Sequence, residues 1–496
     1  MAYRSALKRS SPFRFQLQRA GRIDCSVWRA FLWIGLVLTL DVALHGCGQR
    51  EIQPNIVFVV LDTVRDDHTG IGGGTQQLTP NLDRLASQST VFRNAWANSP
   101  WTVPSHASFF TGLPSSGHGC THQHPRLDTA WPTLAELLGG AGYQTAAFYS
   151  NPWLSDRTTG LLRGFTLKRE APVAGGLSND PGRYRGDQGG RATVFNVQDW
   201  LQQRERRAPF FIFVNFLEAH LPYDPPPDLR QRFRNPRPPD DLVSGEWGME
   251  YQAGLHSFAD VDWQRVGELY AGDVMSADRL LGGLLRVLEN QDLLDQTVLI
   301  ITSDHGENLG DHGLVDHQFS VHETLLAVPL VISAPGRLAS GERNDPVMLT
   351  DLFATVVQLA GLQDVRIPAA SQCLLGEAAP AYRPLIAEYA RPQEHLLNSL
   401  QNLNPDCDLE SLARSFQTVR VGRLRLTVVS DGSQLLHDLQ TDPGQERNLA
   451  GAKPVEASTL KSLLERLLPE SDEPLGDEIQ LDDQTREQLR SLGYVH

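Results

Sequence analysis

Ile56-Val57-Phe58-Val59-Val60-Leu61, closing on Asp62-Thr63, is an apolar run with no polar interruption. A strand with one face in water alternates apolar and polar side chains. An unbroken run that stops at a carboxylate therefore reads as a strand covered on both faces. Comparable runs recur at 145–149, 210–217, 297–303 and 328–333, with helix-type segments between them. Strands alternating with helices predict an α/β fold built on a large, doubly wound, mostly parallel sheet flanked by helices. Thr79-Pro80 ahead of Leu82, Leu85 and Ala86 predicts an N-cap and a proline at the first helical position. A helical apolar period covers 276–290, and the segment 350–360 stops at Gly361, a C-cap signal.

Beyond residue 380 the pattern changes to short alternating runs at 385–389, 416–421, 424–429 and 435–439, with Asp431-Gly432 as a hairpin signal between the last two. This predicts a smaller C-terminal antiparallel sheet over 380–450, beside a main domain over 54–375 and ahead of an acidic helical tail over 451–496. The segments 167–192 and 225–248, rich in Gly, Pro, Arg and Asp, read as long surface loops that shape access to a site.

The chain has 496 residues, 41% of them hydrophobic, which is enough for one large domain and a smaller one. Its net charge is −15, and the first 46 residues carry seven Lys/Arg against two acids, so the rest is more acidic still. Nucleic-acid binding is excluded by that balance, because it needs a basic face. The basic N-terminus leads into the apolar run 30–40 and then Leu44-His45-Gly46-Cys47. That layout, over 1–47, is an export segment ending in a lipoprotein-type box, and its run is shorter than the roughly 20 apolar residues of a spanning helix. It predicts an extracytoplasmic protein attached to the membrane through Cys47, or released into the periplasm. Cys25, Cys120, Cys373 and Cys407 complete an odd set with no disulfide framework.

Asp62, Glu218 with His220, and Asp304-His305 each follow an apolar strand run. A doubly wound sheet binds its ligand beyond the C-terminal strand ends, so these groups converge on one rim. Asp62, Asp304 and His305 with the hydroxyl of Thr102 make a mixed oxygen and nitrogen set for one divalent metal ion. Carboxylates suit calcium or magnesium, and the imidazole tilts the choice toward zinc or manganese. In Trp101-Thr102-Val103-Pro104-Ser105-His106, Ser105 reads as the N-cap of a short helix ending near Gly112. A hydroxyl at a helix N-terminus meets free N–H groups that favour an oxyanion substrate and an ionised nucleophile. His118, His122 and His124 read as residues of a solvated loop.

Asn55 to Thr63, Thr79-Pro80-Asn81-Leu82-Asp83-Arg84-Leu85-Ala86, Pro104-Ser105-His106-Ala107-Ser108 through Thr111-Gly112, Thr302-Ser303-Asp304-His305-Gly306-Glu307 and Asp311-His312-Gly313 together resemble the sulfatase family of the alkaline-phosphatase-like superfamily. The late Asp438-Leu439, Asp442-Pro443 and Asn448-Leu449 fit the same family, in order. The resemblance implies a divalent metal, with a second one allowed, and attack on a sulfur or phosphorus centre from position 102. It also implies an oxyanion contact from His220 and a catalytic or metal-binding role for His317, with His106 as a substrate contact. Arg65, just after Asp62, either offers positive charge to the substrate or pairs with Asp66 or Asp67. Glu307 and His312 are expected either to orient the ligands or to serve a structural turn.

The sequence departs from the family at the nucleophile, where Thr102-x-Pro104-x-His106 replaces a Cys or Ser followed by Pro and Arg. Thr63 replaces a second acidic ligand, and Ser150-Asn151-Pro152-Trp153 lacks the Lys and His usual there. Threonine does not yield the formylglycine through which sulfatases release sulfate, whereas phosphothreonine is a workable intermediate. The residue at 102 thus favours a phosphate ester, and the whole-chain resemblance favours a sulfate ester. The substrate class is a small-molecule, glycan or lipid ester. The alternatives are a phosphodiesterase or phospho-alcohol transferase acting on envelope material, and a binding protein on the same fold.

Overall fold

The computed structural model describes residues 53–173, 187–233, 245–257 and 260–468. The expected export segment, the lipoprotein box and the end of the acidic tail lie outside those residues. Asn55–Leu61 forms β1 near the middle of an eight-stranded sheet. Its companions are β2 (Thr90–Phe92), β3 (Gln144–Tyr149), β4 (Leu167–Glu170), β5 (Phe210–Phe216), β6 (Thr297–Thr302), β7 (Leu330–Ser333) and β8 (Gly341–Arg343). The order is β8-β2-β7-β6-β1-β5-β3-β4. Strand β7 runs against both of its neighbours, and every other adjacent pair is parallel.

Side chains of β1 alternate between the two faces of the sheet. Ile56, Phe58 and Val60 join one core cluster, and Val57, Val59 and Leu61 join the other. That division is the physical reason for the unbroken run, since neither face meets water. The first face is covered by α2 (Thr102–Thr111) and α5 (Asp351–Leu359), and the ring of Phe58 meets that of Phe109 at 4.9 Å. The second is covered by α1 (Pro80–Ala86), α3 (Gly190–Gln203) and the long α4 (Asp260–Glu289), against which α1 and α3 both pack.

A separate antiparallel sheet contains β9 (Leu385–Tyr389), β10 (Phe416–Val421), β11 (Leu424–Val429) and β12 (Gln434–Asp438), with α6 (Pro454–Leu467) against it. Gly432 turns the last hairpin at φ 85°, a conformation that costs glycine nothing. Two buried links tie this sheet to the main one. Asn98 donates to the Ile386 carbonyl at 3.1 Å, and Arg383 grips Asp351 of α5 through contacts of 2.5 and 2.6 Å.

Several sequence expectations are corrected. The Thr79 hydroxyl does not cap α1, because it donates to Asp83; Asp278 of α4 accepts from Asn81 N and Leu82 N instead. Helix α2 begins at Thr102 and not after Ser105, whose hydroxyl is used on the Asp304 carbonyl at 2.6 Å. The helix expected at 276–290 is the second half of α4. Part of 167–192 is edge strand β4 and the start of α3, and 225–248 contains a helical turn at Pro227–Arg230, so neither is wholly a loop.

Candidate active site

Strand register builds the rim. Leu61 lies beside Phe216, Val60 beside Thr302, and Phe148 beside Val214. Four strands therefore end at one level, and the residues that follow them, Asp62, Asn151, Glu218 and Asp304-His305, emerge together. Helix α2 enters the same rim with Thr102 in its first turn. The Ser105 hydroxyl bond to the Asp304 carbonyl fixes α2 against the loop after β6. Gly112 ends the helix at φ 75° with Phe353 so close that a Cβ there would lie 2.9 Å from its ring.

Asp62, Asp304 and His305 are fully buried, and one ligand-type atom from each lies within 4.8 Å of the others. The Nδ1–H of His305 donates to the Gly306 carbonyl at 2.9 Å, which leaves Nε2 as the bare nitrogen. That Nε2 is 3.3 Å from Asp304 Oδ2 and 3.4 Å from the Thr102 hydroxyl. Asp62 Oδ2 accepts from Asn151 at 3.0 Å and from Asn215 at 2.8 Å, while Asp62 Oδ1 and Asp304 Oδ2 are buried with no hydrogen-bond donor. Burial, then the Asp62 charge, pushes the Asp304 carboxyl well above its ordinary range. Burial, then His317, holds His305 well below its own, so it stays neutral. Two facing carboxylates with orphan oxygens beside a bare imidazole nitrogen are what a buried divalent cation requires. The donor set fits a metal.

Thr63, where the family has a second acid, adopts φ 58° and turns its hydroxyl onto the Asp62 carbonyl at 2.8 Å. Its own N–H reaches Asp304 Oδ1 at 3.3 Å, and Tyr270 donates to its carbonyl at 2.7 Å. A non-glycine residue in this conformation costs about 1–3 kcal/mol, and these three bonds hold it there.

Two expected substrate contacts have other partners. Arg65 is buried, with its guanidinium on Asp67 and Asp311 at 2.7 Å and on the Glu307 carbonyl at 3.2 Å, so its donors serve the protein. The His106 ring lies in the aromatic layer under α2, against Phe109 at 4.7 Å and Phe213 at 5.8 Å. Its Nδ1–H donates to the Thr102 carbonyl at 2.8 Å, and burial lowers its pKa to about 4. It supports Thr102 from behind. His312 stacks on His322 at 3.6 Å and Glu307 faces His317, so the two do not act as a pair on the ligands.

His317 does join the rim, its ring 4.5 Å from that of His305 and 5.1 Å from that of His220. Burial opposes its charge, but Asp316 at 2.7 Å and Glu307 at 3.4 Å more than offset this and raise it well above its ordinary value. His220 donates from Nδ1 to the Leu221 carbonyl, and burial, then His317, lowers it. His118 and His122 are buried, contrary to the solvated-loop reading; His122 stacks on Trp101 at 4.0 Å. His122 also lines a cavity of about 390 Å³, together with Ser99, Pro104, Glu388, Tyr389 and Gln417 among others.

Sequence reading missed Asn151 and Asn215, which hold Asp62, and Asp316. Asn151 also lies 3.4 Å from the Thr102 hydroxyl. It carries the same signal as Asp62, a polar residue closing a strand run, but Asn215 sits inside β5 and gives none.

The model of the sulfatase family matches residues 54–362. The chain belongs to the sulfatase family. Arylsulfatase K of Homo sapiens is 24% identical over 466 residues, covering 84% of this chain and 84% of its own. An arylsulfatase of Clostridium perfringens is 25% identical over 363 residues, covering 62% of this chain and 75% of its own. Among solved structures, the phosphonate monoester hydrolase of Agrobacterium radiobacter superposes with a TM-score of 0.65 at 21% identity, covering 84% of this chain and 95% of that one. As a sulfatase-family member the chain is a hydrolase of the sulfuric or phosphoric ester class; sulfatases generally bind a divalent cation, and Asp62, Asp304 and His305 are a group that could hold one.

Proposed function

We propose that this sulfatase is an exported, metal-dependent hydrolase in which Thr102 attacks the sulfur or phosphorus of a sulfate or phosphate ester. The observation that carries the reading is the Thr102 hydroxyl in the first turn of α2, 3.4 Å from His305 Nε2 and beside the orphan oxygens of Asp62 and Asp304. Asp62, Thr102, Asp304 and His305 hold the ion. A bound divalent cation lowers the pKa of a coordinated hydroxyl and offsets charge on the ester oxygens. The N-terminus of α2 favours the same negative charge.

In the first step the Thr102 hydroxyl gives its proton to water and its oxygen bonds to the central atom, while the bond to the ester oxygen breaks and that oxygen leaves and takes up a proton from water. A second water then attacks the central atom, which breaks the bond to Thr102 and returns a proton to its oxygen. No aldehyde exit is available to a threonyl ester, so both steps are displacements at sulfur or phosphorus. His220 and His317 border the oxyanion. The basic and then apolar segment ending at Cys47 supports a place outside the cytoplasm, held at the membrane.

The test is turnover of aryl sulfate, aryl phosphate and bis-aryl phosphate by the full chain, with bound metal measured, for wild type and Thr102→Ala. Turnover of at least one ester that is lost in Thr102→Ala supports the reading. Equal turnover in both proteins removes Thr102 as nucleophile, and no turnover with no bound metal favours a binding protein.

A further inference from the structure

Where the segment 311–322 meets the C-terminal sheet, three histidines from three elements gather around one buried arginine. The rings of His312 and His322 stack at 3.6 Å with their planes 13° apart. Arg425 of β11 and His437 of β12 stand opposite each other in the sheet, and both are buried. Arg425 and His437 act electrostatically on His322, and Arg425 and His312 act on His437. His437 Nδ1 is buried with no hydrogen-bond partner. His312 is held at φ 54°, a left-handed conformation that a non-glycine residue adopts at a cost.

This arrangement is closed only while its rings are neutral. Two imidazolium rings face to face repel each other, and Arg425 adds a third positive charge. The surrounding acids do not answer those charges. Asp311 is bonded to Arg65 at 2.7 Å and to Leu309 N at 2.9 Å, and Asp442 accepts from the N–H groups of Glu446 and Arg447, each at 3.0 Å. Glu323 faces Trp96 Nε1 at 3.1 Å, Arg425 at 3.5 Å and Arg420 at 3.6 Å, while Glu446 is exposed, where solvent screens it. Burial, then His312 and Arg425, holds His322 well below its ordinary value. Burial lowers His312 against the charge of Asp311, and burial followed by Arg425 lowers His437. As pH falls below about 6.5, an opened form therefore binds more protons than the closed one, and the closed form loses stability.

From this geometry we infer that His312, His322, His437 and Arg425 form an acid-opened latch that joins the segment 311–322 to the C-terminal sheet. Neutral imidazoles keep it closed, and protons taken up at the stack push the segment away from β11 and β12. Release of the stack also frees His312 from its left-handed backbone. The chain beyond His322 stays tethered, because Gln445 accepts from the Glu323 N–H at 2.9 Å. The segment carries His317, whose ring lies 4.5 Å from that of His305, so opening takes His317 out of the rim. The latch needs neither Thr102 nor a metal ion, and it goes beyond the proposed function.

The test is hydrogen–deuterium exchange of the full chain at about pH 7.5 and about pH 5, corrected for intrinsic exchange at each pH, with circular dichroism on each protein. Wild type is expected to lose about tenfold or more of the protection of 311–322 at the lower pH, the equivalent of one histidine lowered by one unit, while β6 keeps its own. Return to the higher pH is expected to restore it. His322→Phe keeps a ring on His312 but takes up no proton, and is expected to hold the protection of 311–322 at both pH values. Equal changes in 311–322 and β6 of the wild type overturn the latch without any variant, as does a loss that persists on return to the higher pH. A loss in folded His322→Phe as large as in wild type also overturns it. Should His322→Phe fail to fold, His312→Asn, whose side chain tolerates the left-handed backbone, is read against the same outcomes. None of these results bears on Thr102, which turnover tests separately.

Discussion

Asn151 and Asn215 donate to the same oxygen of Asp62, at 3.0 and 2.8 Å, but Asn151 alone also reaches the Thr102 hydroxyl, at 3.4 Å. This asymmetry separates metal holding from nucleophile positioning. Asn215→Ala removes one donor from the carboxylate, and loss of such a partner behind a ligand costs roughly 10–100-fold in metal affinity. Saturating metal is then expected to restore kcat to near the wild-type value. Asn151→Ala has the same effect on affinity and in addition frees the Thr102 hydroxyl. The neutral bond it loses is long and worth about 1 kcal/mol, or roughly fivefold in rate. Its kcat is therefore expected to stay about fivefold low at any metal concentration. The assay is steady-state turnover of whichever aryl ester the wild type hydrolyses, titrated with metal, alongside direct metal binding. If saturating metal recovers Asn151→Ala and Asn215→Ala equally, Asn151 does not position Thr102. If neither variant changes metal affinity, the placement of Asp62 as a ligand is wrong.

Thr102→Ala is expected to lose roughly 10³-fold or more of the turnover while melting like the wild type, and Thr102→Ser to keep measurable turnover, since only the hydroxyl is shared. Glu218 is fully buried, and burial followed by the Asp187 charge raises its carboxyl to about 8, from an ordinary 4.5. The folded protein thus binds a proton that the unfolded chain releases between those values, and stability falls as pH rises through that window. Glu218→Gln removes a penalty on the order of 5 kcal/mol, so it is expected to raise Tm at pH 9 and to match the wild type at pH 4; a pH-independent difference would count against the burial argument. Arg383→Met leaves the buried Asp351 carboxylate without its cation, and urea unfolding is expected to show a loss of about 3–5 kcal/mol. Adding Asp351→Asn to that variant is expected to recover part of the loss, and additive losses would show the two residues to be independent.

The strands were legible because each carries its own signature: a run apolar on both faces reports burial whatever lies beside it. Direction is not part of that signature. The run at 328–333 looks like the others, yet β7 is antiparallel to β6, since only the chain path between them sets its sense. Helix starts failed for a related reason. A local capping rule assigns the hydroxyls of Thr79 and Ser105 to the nearest helix N–H groups, but both have partners elsewhere. Asp278 takes the N–H groups of α1 from 196 residues away, and the Asp304 carbonyl takes Ser105 from 199 residues away. In the site, Asp62, Thr102, Asp304 and His305 were readable as strand-end or helix-end residues of ligand type. Of the two readings of Arg65, the structure has the pairing with Asp67 and adds Asp311, 246 positions distant and invisible to a local reading. His122 was misread because its Trp101 stacking partner is not a sequence pattern.

The charges of the rim impose an order on binding. Asp62 and Asp304 face one cavity, each with an oxygen that nothing in the protein serves, and burial makes the second charge costly. His305 adds no compensation, because burial and the neighbouring His317 keep it neutral. The N-terminus of α2 brings about half a positive charge, less than either carboxylate carries. Arg65, the nearest guanidinium in the sequence, is committed to Asp67 and Asp311. His317, the one rim histidine held in its charged form, is already matched by Asp316 at 2.7 Å and Glu307 at 3.4 Å. An anionic ester approaching Thr102 is therefore expected to meet the charge of Asp62 uncompensated, and a divalent cation on the orphan oxygens is expected to bind first and the ester second. This order also explains why the protein spends two asparagines, Asn151 and Asn215, on Asp62 Oδ2: with that oxygen saturated, the carboxylate presents the other one, and the cation has a single orientation in which to bind.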